Sequence, residues 1–273
     1  EDWSIVSSHK DVKLKIIKQE NKGGNVARNN GVKNAKGEFI AFLDSDDLWN
    51  KTKLKKQYEL ISQSDRIGGV YCGLREVEYE SGTVISDSKR DYTEGLILSQ
   101  LLVKDITAPT SAYLVRKKVF DEVGCFDESL QARQDWDMWI RVSENYEIRA
   151  VHQNLIDLRH HKGPRTASNP QKEIKAYKII RQKYHYLLDK QPKNIQKEAK
   201  ANFYKRLGRV YFHNNISKRI AFSYYIKGIV LFPKDFDNWA ALVGFFLPRK
   251  IRKKINKHWN NFFSKTKFAI RSH

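Results

Sequence analysis

The sequence predicts an α/β sheet over residues 1–168 followed by an all-helical region over residues 169–273. Three observations lead there. Short apolar, partly β-branched runs alternate with helical stretches in the first part, the pattern of a sheet flanked by helices. From about residue 171 the apolar spacing is helical throughout. Charge divides the chain at the same place: residues 1–170 hold 26 Lys+Arg and 26 Asp+Glu, whereas 171–273 hold 25 and 5, so the whole net charge of +20 lies in the last third.

Taken in order, residues 12–17 alternate and are partly β-branched, which predicts a short strand. Asn21-Lys22-Gly23-Gly24-Asn25 is a turn cluster. A helix is expected over 26–35, stopped at Gly37. Residues 38–43 form a short apolar run, as in a buried strand of a parallel sheet, and end abruptly at Asp44-Ser45-Asp46-Asp47. A helix then carries Leu54, Tyr58 and Ile61, and strands follow at 70–72 and 75–79, closed by the Ser81-Gly82 turn. Residues 110–115 read as another strand. Residues 134–142 have helical spacing with Trp136, Trp139 and Ile140 on one face. In the helical part, Tyr204, Leu207, Gly208, Tyr211, Ala221, Tyr225, Gly228 and Pro233 resemble one tetratricopeptide helix pair with an extra residue in its turn. An ordinary helical hairpin explains them equally well. Residues 249–273 interleave Lys and Arg with Ile251, Ile255, Trp259, Phe262, Phe263 and Phe268, the pattern of a basic amphipathic helix.

Composition removes several classes of protein. A chain that is 40% hydrophobic is not wholesale disordered. Cys72 and Cys125 stand far apart with no CxxC, which argues against a disulfide framework or a thiolate zinc site and fits a reducing compartment. No apolar run reaches the roughly 18 residues of a membrane-spanning helix. The basic excess calls for an anionic partner, and the zero net charge of residues 1–170 counts against nucleic acid tracking across the sheet part.

The chemistry concentrates in Asp44-Ser45-Asp46-Asp47. Three carboxylates within four residues repel one another unless a cation neutralises them. Mg²⁺ or Mn²⁺ prefers such oxygen ligands and takes one or two carboxylates plus substrate phosphates. Ligands of open α/β sheets bind beyond the carboxyl ends of the strands, where this cluster falls. On local sequence alone, a solvated turn whose Asp caps the next helix explains the cluster as well.

The surroundings are specific. Asn21, Gly23, Ala27-Arg28-Asn29, Gly31, Gly37-Glu38 and Leu43-Asp44-Ser45-Asp46-Asp47, with Trp49 and Leu54, resemble the signature of family 2 glycosyltransferases with the GT-A fold. A second block is similar to the same family: Gly124-Cys125-Phe126-Asp127-Glu128, then Gln134-Asp135-Trp136-Asp137-Met138-Trp139-Ile140-Arg141. A third is Arg159-His160-His161, and together the three cover about residues 1–165. Gln134 stands where the family commonly has Glu, and Cys125 where it has Gly. The resemblance implies a Rossmann-like mixed sheet flanked by helices. It also implies that the family's first strand is missing here, about 35 residues by the size of a βαβ unit.

What the resemblance implies for individual residues is as follows. Asp46 is the first metal ligand, with Asp44 nearer the ribose and Asp47 in support; the metal is Mn²⁺ or Mg²⁺. Asp2 matches the position that contacts the base, and Arg28 a position near the nucleotide. Asp135 is the general base of an inverting transfer. Thr110, Ser111, Trp136 and Asp137 fall on the acceptor side, and His161 is a further candidate metal ligand, with a plain loop histidine as its alternative. The expected function is an inverting, metal-dependent transfer of a sugar from a nucleotide donor, UDP-linked, to a hydroxyl of a glycan or lipid-linked acceptor in bacterial lipopolysaccharide, capsule or other surface-polysaccharide synthesis. The basic tail would hold the protein on the anionic inner face of the plasma membrane. The competing expectations are a catalytically inactive scaffold and a nucleic-acid-binding protein that uses the basic helical tail.

Overall fold

In a computed structural model of the chain, residues 13–87, 91–106, 108–160, 169–248 and 251 are described. In chain order the elements are α1 (Gly24–Asn34), β1 (Phe39–Ala41), β2 (Leu48–Trp49), α2 (Lys53–Ile61), β3 (Ile67–Glu78), β4 (Val84–Ser86), α3 (Leu98–Val103), a 3₁₀ turn (Thr110–Ala112), β5 (Leu114–Arg116), α4 (Lys117–Val123), α5 (Gln134–Asn145) and β6 (Glu147–His160). Helices follow: α6 (Pro170–Lys183), α7 (His185–Asp189), α8 (Lys193–His213), α9 (Lys218–Leu231) and α10 (Phe236–Phe246).

The chain divides into two units, one of residues 1–97 and 107–162, the other of 98–106 and 163–273. In the first, the sheet order is β1-β5-β3-β6-β2, with β4 added to β3. β3 and β6 are the long central pair and run parallel, while the other pairings are antiparallel. The first eight residues of β3 are all buried, which is what a strand covered on both faces requires. A cluster of Ile61, Ile67, Val70 and Leu114 anchors α2 on the sheet, and Tyr113 stacks on fully buried Trp139 at 3.7 Å, joining α5 to it.

Several expectations need correction. Residues 13–17 form no strand; Leu14, Ile16 and Ile17 are exposed. β1 is antiparallel to β5, not part of a parallel run. β3 is one strand where two were expected, because Gly73 lets it bulge past Asn154 and Tyr92 at a spot with no room for a side chain. Thr110–Ala112 is a 3₁₀ turn, and only Leu114–Arg116 extends. The fourteen-residue β6 was not anticipated beyond its Arg159-His160 end. α2 does not bury Leu54 and Tyr58; it buries Lys53, Gln57 and Ile61. The long basic tail lies outside the described residues except Ile251.

The second unit is helical. α6 starts as its sequence demands: Asn169 caps Gln171 and Lys172, with Pro170 in the first turn. α8 and α9 cross closely because both sides supply a glycine. A side chain on Gly208 would meet the Tyr225 ring at 2.7 Å, and one on Gly228 would meet Asn238 at 2.7 Å and the Ala201 carbonyl at 3.1 Å. α3 packs here, with Asn202 donating to the Val103 carbonyl at 2.7 Å.

Candidate active site

α1 serves two neighbours. Asn25 and Asn29, one turn apart, face inward: Asn25 donates to the carbonyls of Asp127 and Leu130, and Asn29 exchanges hydrogen bonds with Phe126 N–H and C=O at 2.9 Å each. They clip the helix to the loop of the second motif. Arg28 points elsewhere, to Asp44, with Nη2 at 2.7 and 3.0 Å from the two carboxylate oxygens.

After β1 the chain leaves the sheet and turns: Asp47 N–H donates to the Asp44 carbonyl at 3.0 Å, closing Asp44-Ser45-Asp46-Asp47 into one tight turn. Arg159 at the end of β6 donates to the Asp46 carbonyl at 2.6 Å. Ser111 does most to fix this turn. Its hydroxyl accepts from Asp44 N–H at 3.1 Å and donates to the Asp47 carboxylate, which also accepts from the Arg159 backbone N–H. Burial, reinforced by Asp46 and Asp44, pushes the Asp47 carboxyl up to about 6 against the pull of Ser111.

The neighbouring hydroxyl, of Thr110, donates to Asp135 Oδ1. Asp135 opens α5 just after Arg133, whose φ of 58° is a left-handed conformation unusual outside glycine. Below, Trp49 Nε1 donates to the Ser111 carbonyl at 3.0 Å, and Gln57 Nε2 donates to the carbonyls of Ala112 and Val70 at 2.8 and 2.7 Å. Fully buried Lys53 donates to Gln57 Oε1 at 2.8 Å and lies 4.1 Å from the Trp49 ring centroid; burial pushes its ammonium down to about 8.

The structure therefore brings Arg28, Asp44, Asp46, Asp47, Thr110, Ser111 and Asp135 into one connected group. Asp2 and His161 lie outside the described residues. Of the residues expected on the acceptor side, Asp137 is 0% exposed and paired with Arg141 at 3.1 Å, Trp136 is buried, and Thr110 and Ser111 are buried beside the carboxylates. None of the four is an exposed side chain. Arg141, bonded to Asp137, donates to the carbonyls of Val123, Gly124 and Cys125. Sequence reasoning named Arg159 only within its motif, without a role, and missed Gln57 and Lys53. Only their buried partners, distant in sequence, reveal them.

Among the described residues no cluster of three or more His, Cys, Asp and Glu side chains could by itself hold a metal ion. Yet Asp47 Oδ1 is buried without a hydrogen-bond partner beside two further carboxylates. That donor set fits a cation held by one or two carboxylates and completed by substrate phosphates.

Residues 1–226 match the family model described as Glycosyltransferase like family 2. An uncharacterized glycosyltransferase of Rickettsia typhi is 29% identical over 178 residues, covering 63% of this chain and 56% of that protein. The chain thus spans about half the length of this curated relative. The putative teichuronic acid biosynthesis glycosyltransferase TuaG of Bacillus subtilis is 51% identical over 48 residues, 18% of this chain and 19% of TuaG. A mannosyltransferase from Pyrobaculum calidifontis, solved with GDP-Man and Mn²⁺, matches with a TM-score of 0.50 and 14% identity over 93% of this chain and 72% of its own. That likeness is one of fold, the mixed sheet flanked by helices of the GT-A glycosyltransferases.

Proposed function

The chain belongs to the glycosyltransferase like family 2, and we propose that it catalyses inverting, metal-dependent transfer of a sugar from a nucleotide donor to a hydroxyl acceptor. We place the donor as UDP-linked and the acceptor as a glycan or lipid-linked glycan of bacterial surface-polysaccharide synthesis. The likeness to TuaG supports that setting. One observation carries the reading: Thr110 and Ser111, adjacent in the chain, tie Asp135 to the acidic turn.

In this reading Asp135 takes the proton of the acceptor hydroxyl as its oxygen attacks the anomeric carbon. The bond to the nucleoside diphosphate breaks and its electron pair leaves with the phosphate. A single base facing the leaving group gives inversion. Asp46 and Asp44, with Asp47 in support, would hold Mn²⁺ or Mg²⁺, which supplies Lewis-acid stabilisation of the developing negative charge. Arg28, 17% exposed at its side chain and seated on Asp44, keeps a fixed cation beside the acidic turn. The basic residues of 171–273 hold the protein at an anionic inner leaflet, where each Lys or Arg near the surface contributes about 1 kcal/mol. Among the described residues no helix is long and apolar enough to cross a membrane.

A screen of nucleotide sugars with Mn²⁺ tests this by product formation. Asp135→Asn should lower kcat by about 10²–10⁴-fold while donor binding persists. Asp46→Ala should weaken donor binding and remove the response to Mn²⁺. Unchanged turnover in both variants overturns the assignment, and donor binding without turnover in the wild type would favour an inactive scaffold.

A further inference from the structure

α10 is apolar on both of its long faces. Its sequence holds one charged residue, Asp237. One face packs inward: Asn238 is buried, and the Phe245 ring meets Phe212 at 5.0 Å and Phe222 at 5.6 Å. The other face carries Phe236, Trp239, Val243 and Phe246, spaced three and four residues apart and 73, 45, 57 and 69% exposed. A helix facing water on one side is expected to be polar there. Trp239 Nε1 donates to the Pro233 carbonyl at 2.9 Å, so the ring's polar atom is satisfied and its remaining exposed surface is apolar.

The stripe does not stop at α10. On α9, Phe222, Ile226 and Val230 are spaced four residues apart and also exposed. The Phe222 ring lies 6.1 Å from that of Phe246, so the two stripes join. Contiguous apolar surface of this kind marks an interaction face.

The charge around it identifies the partner. Lys218, Arg219, Lys227 and Lys234 are exposed on α9 and the turn after it. No Asp or Glu follows Asp237, whereas nine Lys or Arg lie between residues 249 and 271. A second copy of the chain would bring a like-charged region against this one. Duplex nucleic acid would meet the charges but leave the aromatic stripe in water, and exposed Ile226, Val230 and Val243 offer a single strand no stacking partner. A surface with anionic headgroups over an apolar interior matches both features.

We infer that the joined stripes of α9 and α10 are an insertion face for an anionic lipid bilayer, with Phe236, Trp239, Val243 and Phe246 entering the headgroup–acyl boundary. This rests on the proposal that the basic region faces a membrane, and adds to charge attraction a defined apolar contact.

Co-sedimentation of the full chain with phosphatidylcholine vesicles, with and without phosphatidylglycerol, tests it. The wild type should bind the anionic vesicles and scarcely the neutral ones. Trp239→Ser/Phe246→Ser alters largely exposed side chains at the loss of one hydrogen bond and a ring contact, so melting should fall only slightly, while binding to anionic vesicles should fall about tenfold or more. Lys253→Ser/Lys254→Ser/Lys257→Ser should instead reduce the dependence on phosphatidylglycerol. Trp239→Phe should retain binding but lose part of the quenching by brominated lipid. If the stripe variant binds like the wild type, the insertion face is wrong and the charge-based reading stands. If the wild type ignores anionic vesicles, both fall. A wild-type dimer that the stripe variant converts to a monomer would make the face a self-interface and overturn the inference. Turnover on a soluble acceptor is expected to be equal in all variants.

Discussion

Thr110 and Ser111 are adjacent, yet their hydroxyls are committed to different carboxylates. Ser111 holds the acidic turn through Asp44 N–H and Asp47, and Thr110 donates to Asp135. Both are buried, so neither is replaced by water when its partner moves. A donor to a carboxylate favours its ionised form, the form a general base needs. Thr110→Val keeps the shape and removes the donor. We expect the acid limb of the kcat/KM profile to move to higher pH and kcat/KM to fall most on that limb. Thr110→Ser should restore both. If the Val variant loses activity with its pH profile unmoved, the hydroxyl only supports the fold. The carboxylates of this site were legible in the sequence because three acids in four residues need an explanation. The hydroxyls were legible only by position, and their partners were not: Thr110 turns to Asp135 and Ser111 to the acidic turn, both far away in sequence.

At the level of elements, polar residues do work that pattern reading assigns to apolar ones. The apolar spacing of α2 points to Leu54 and Tyr58, but the helix buries Lys53 and Gln57 because the Val70 and Ala112 carbonyls need a donor where the sheet meets the 3₁₀ turn. No periodicity encodes that need, since it arises from strands far away in sequence. β6 escaped for a related reason: Glu147–His160 mixes apolar and polar residues without clean alternation, and its eleven-residue pairing with β3 passes through three register shifts. The α8–α9 crossing was more readable, because small residues at Gly208, Ala221 and Gly228 allow close approach in any helical hairpin. Its tightness gives a prediction. Alanine at an ordinary helical glycine gains about 1 kcal/mol of helix propensity. At Gly208 the new methyl would meet the Tyr225 ring at 2.7 Å, and Tyr225 is 1% exposed and has nowhere to go. Gly208→Ala should therefore destabilise the helical unit by about 1–3 kcal/mol in chemical denaturation. A gain in stability would show that the ring yields.

Across the whole molecule, the chain does not respect the line that composition draws. Charge and periodicity both change near residue 170, yet the contacts assign residues 98–106 to the helical unit. The chain leaves the sheet after β4, contributes α3 to the helices, and returns to place Thr110 and Ser111 under the acidic turn. Nothing in the composition of α3 sets it apart, because Leu98–Val103 reads like any short apolar helix; what decides its place is the surface that covers it. Leu101, Leu102 and Val103 are buried, and the Val103 carbonyl is held by Asn202 of α8. A chain ending at residue 168 keeps every proposed catalytic carboxylate but deprives α3 of that partner. Three large apolar side chains would then face water a few residues before the 3₁₀ turn, at roughly 1.5–3 kcal/mol each for side chains that the intact protein keeps fully buried. Residues 1–168 alone should bind a hydrophobic dye and aggregate, and Leu101→Gln/Leu102→Lys should restore their solubility. In the intact chain the same double substitution should lower stability by about 3 kcal/mol or more, since it removes core side chains and buries polar ones. If residues 1–168 are soluble and monomeric without the substitutions, α3 has another resting place and the sheet part is more self-sufficient than its contacts indicate.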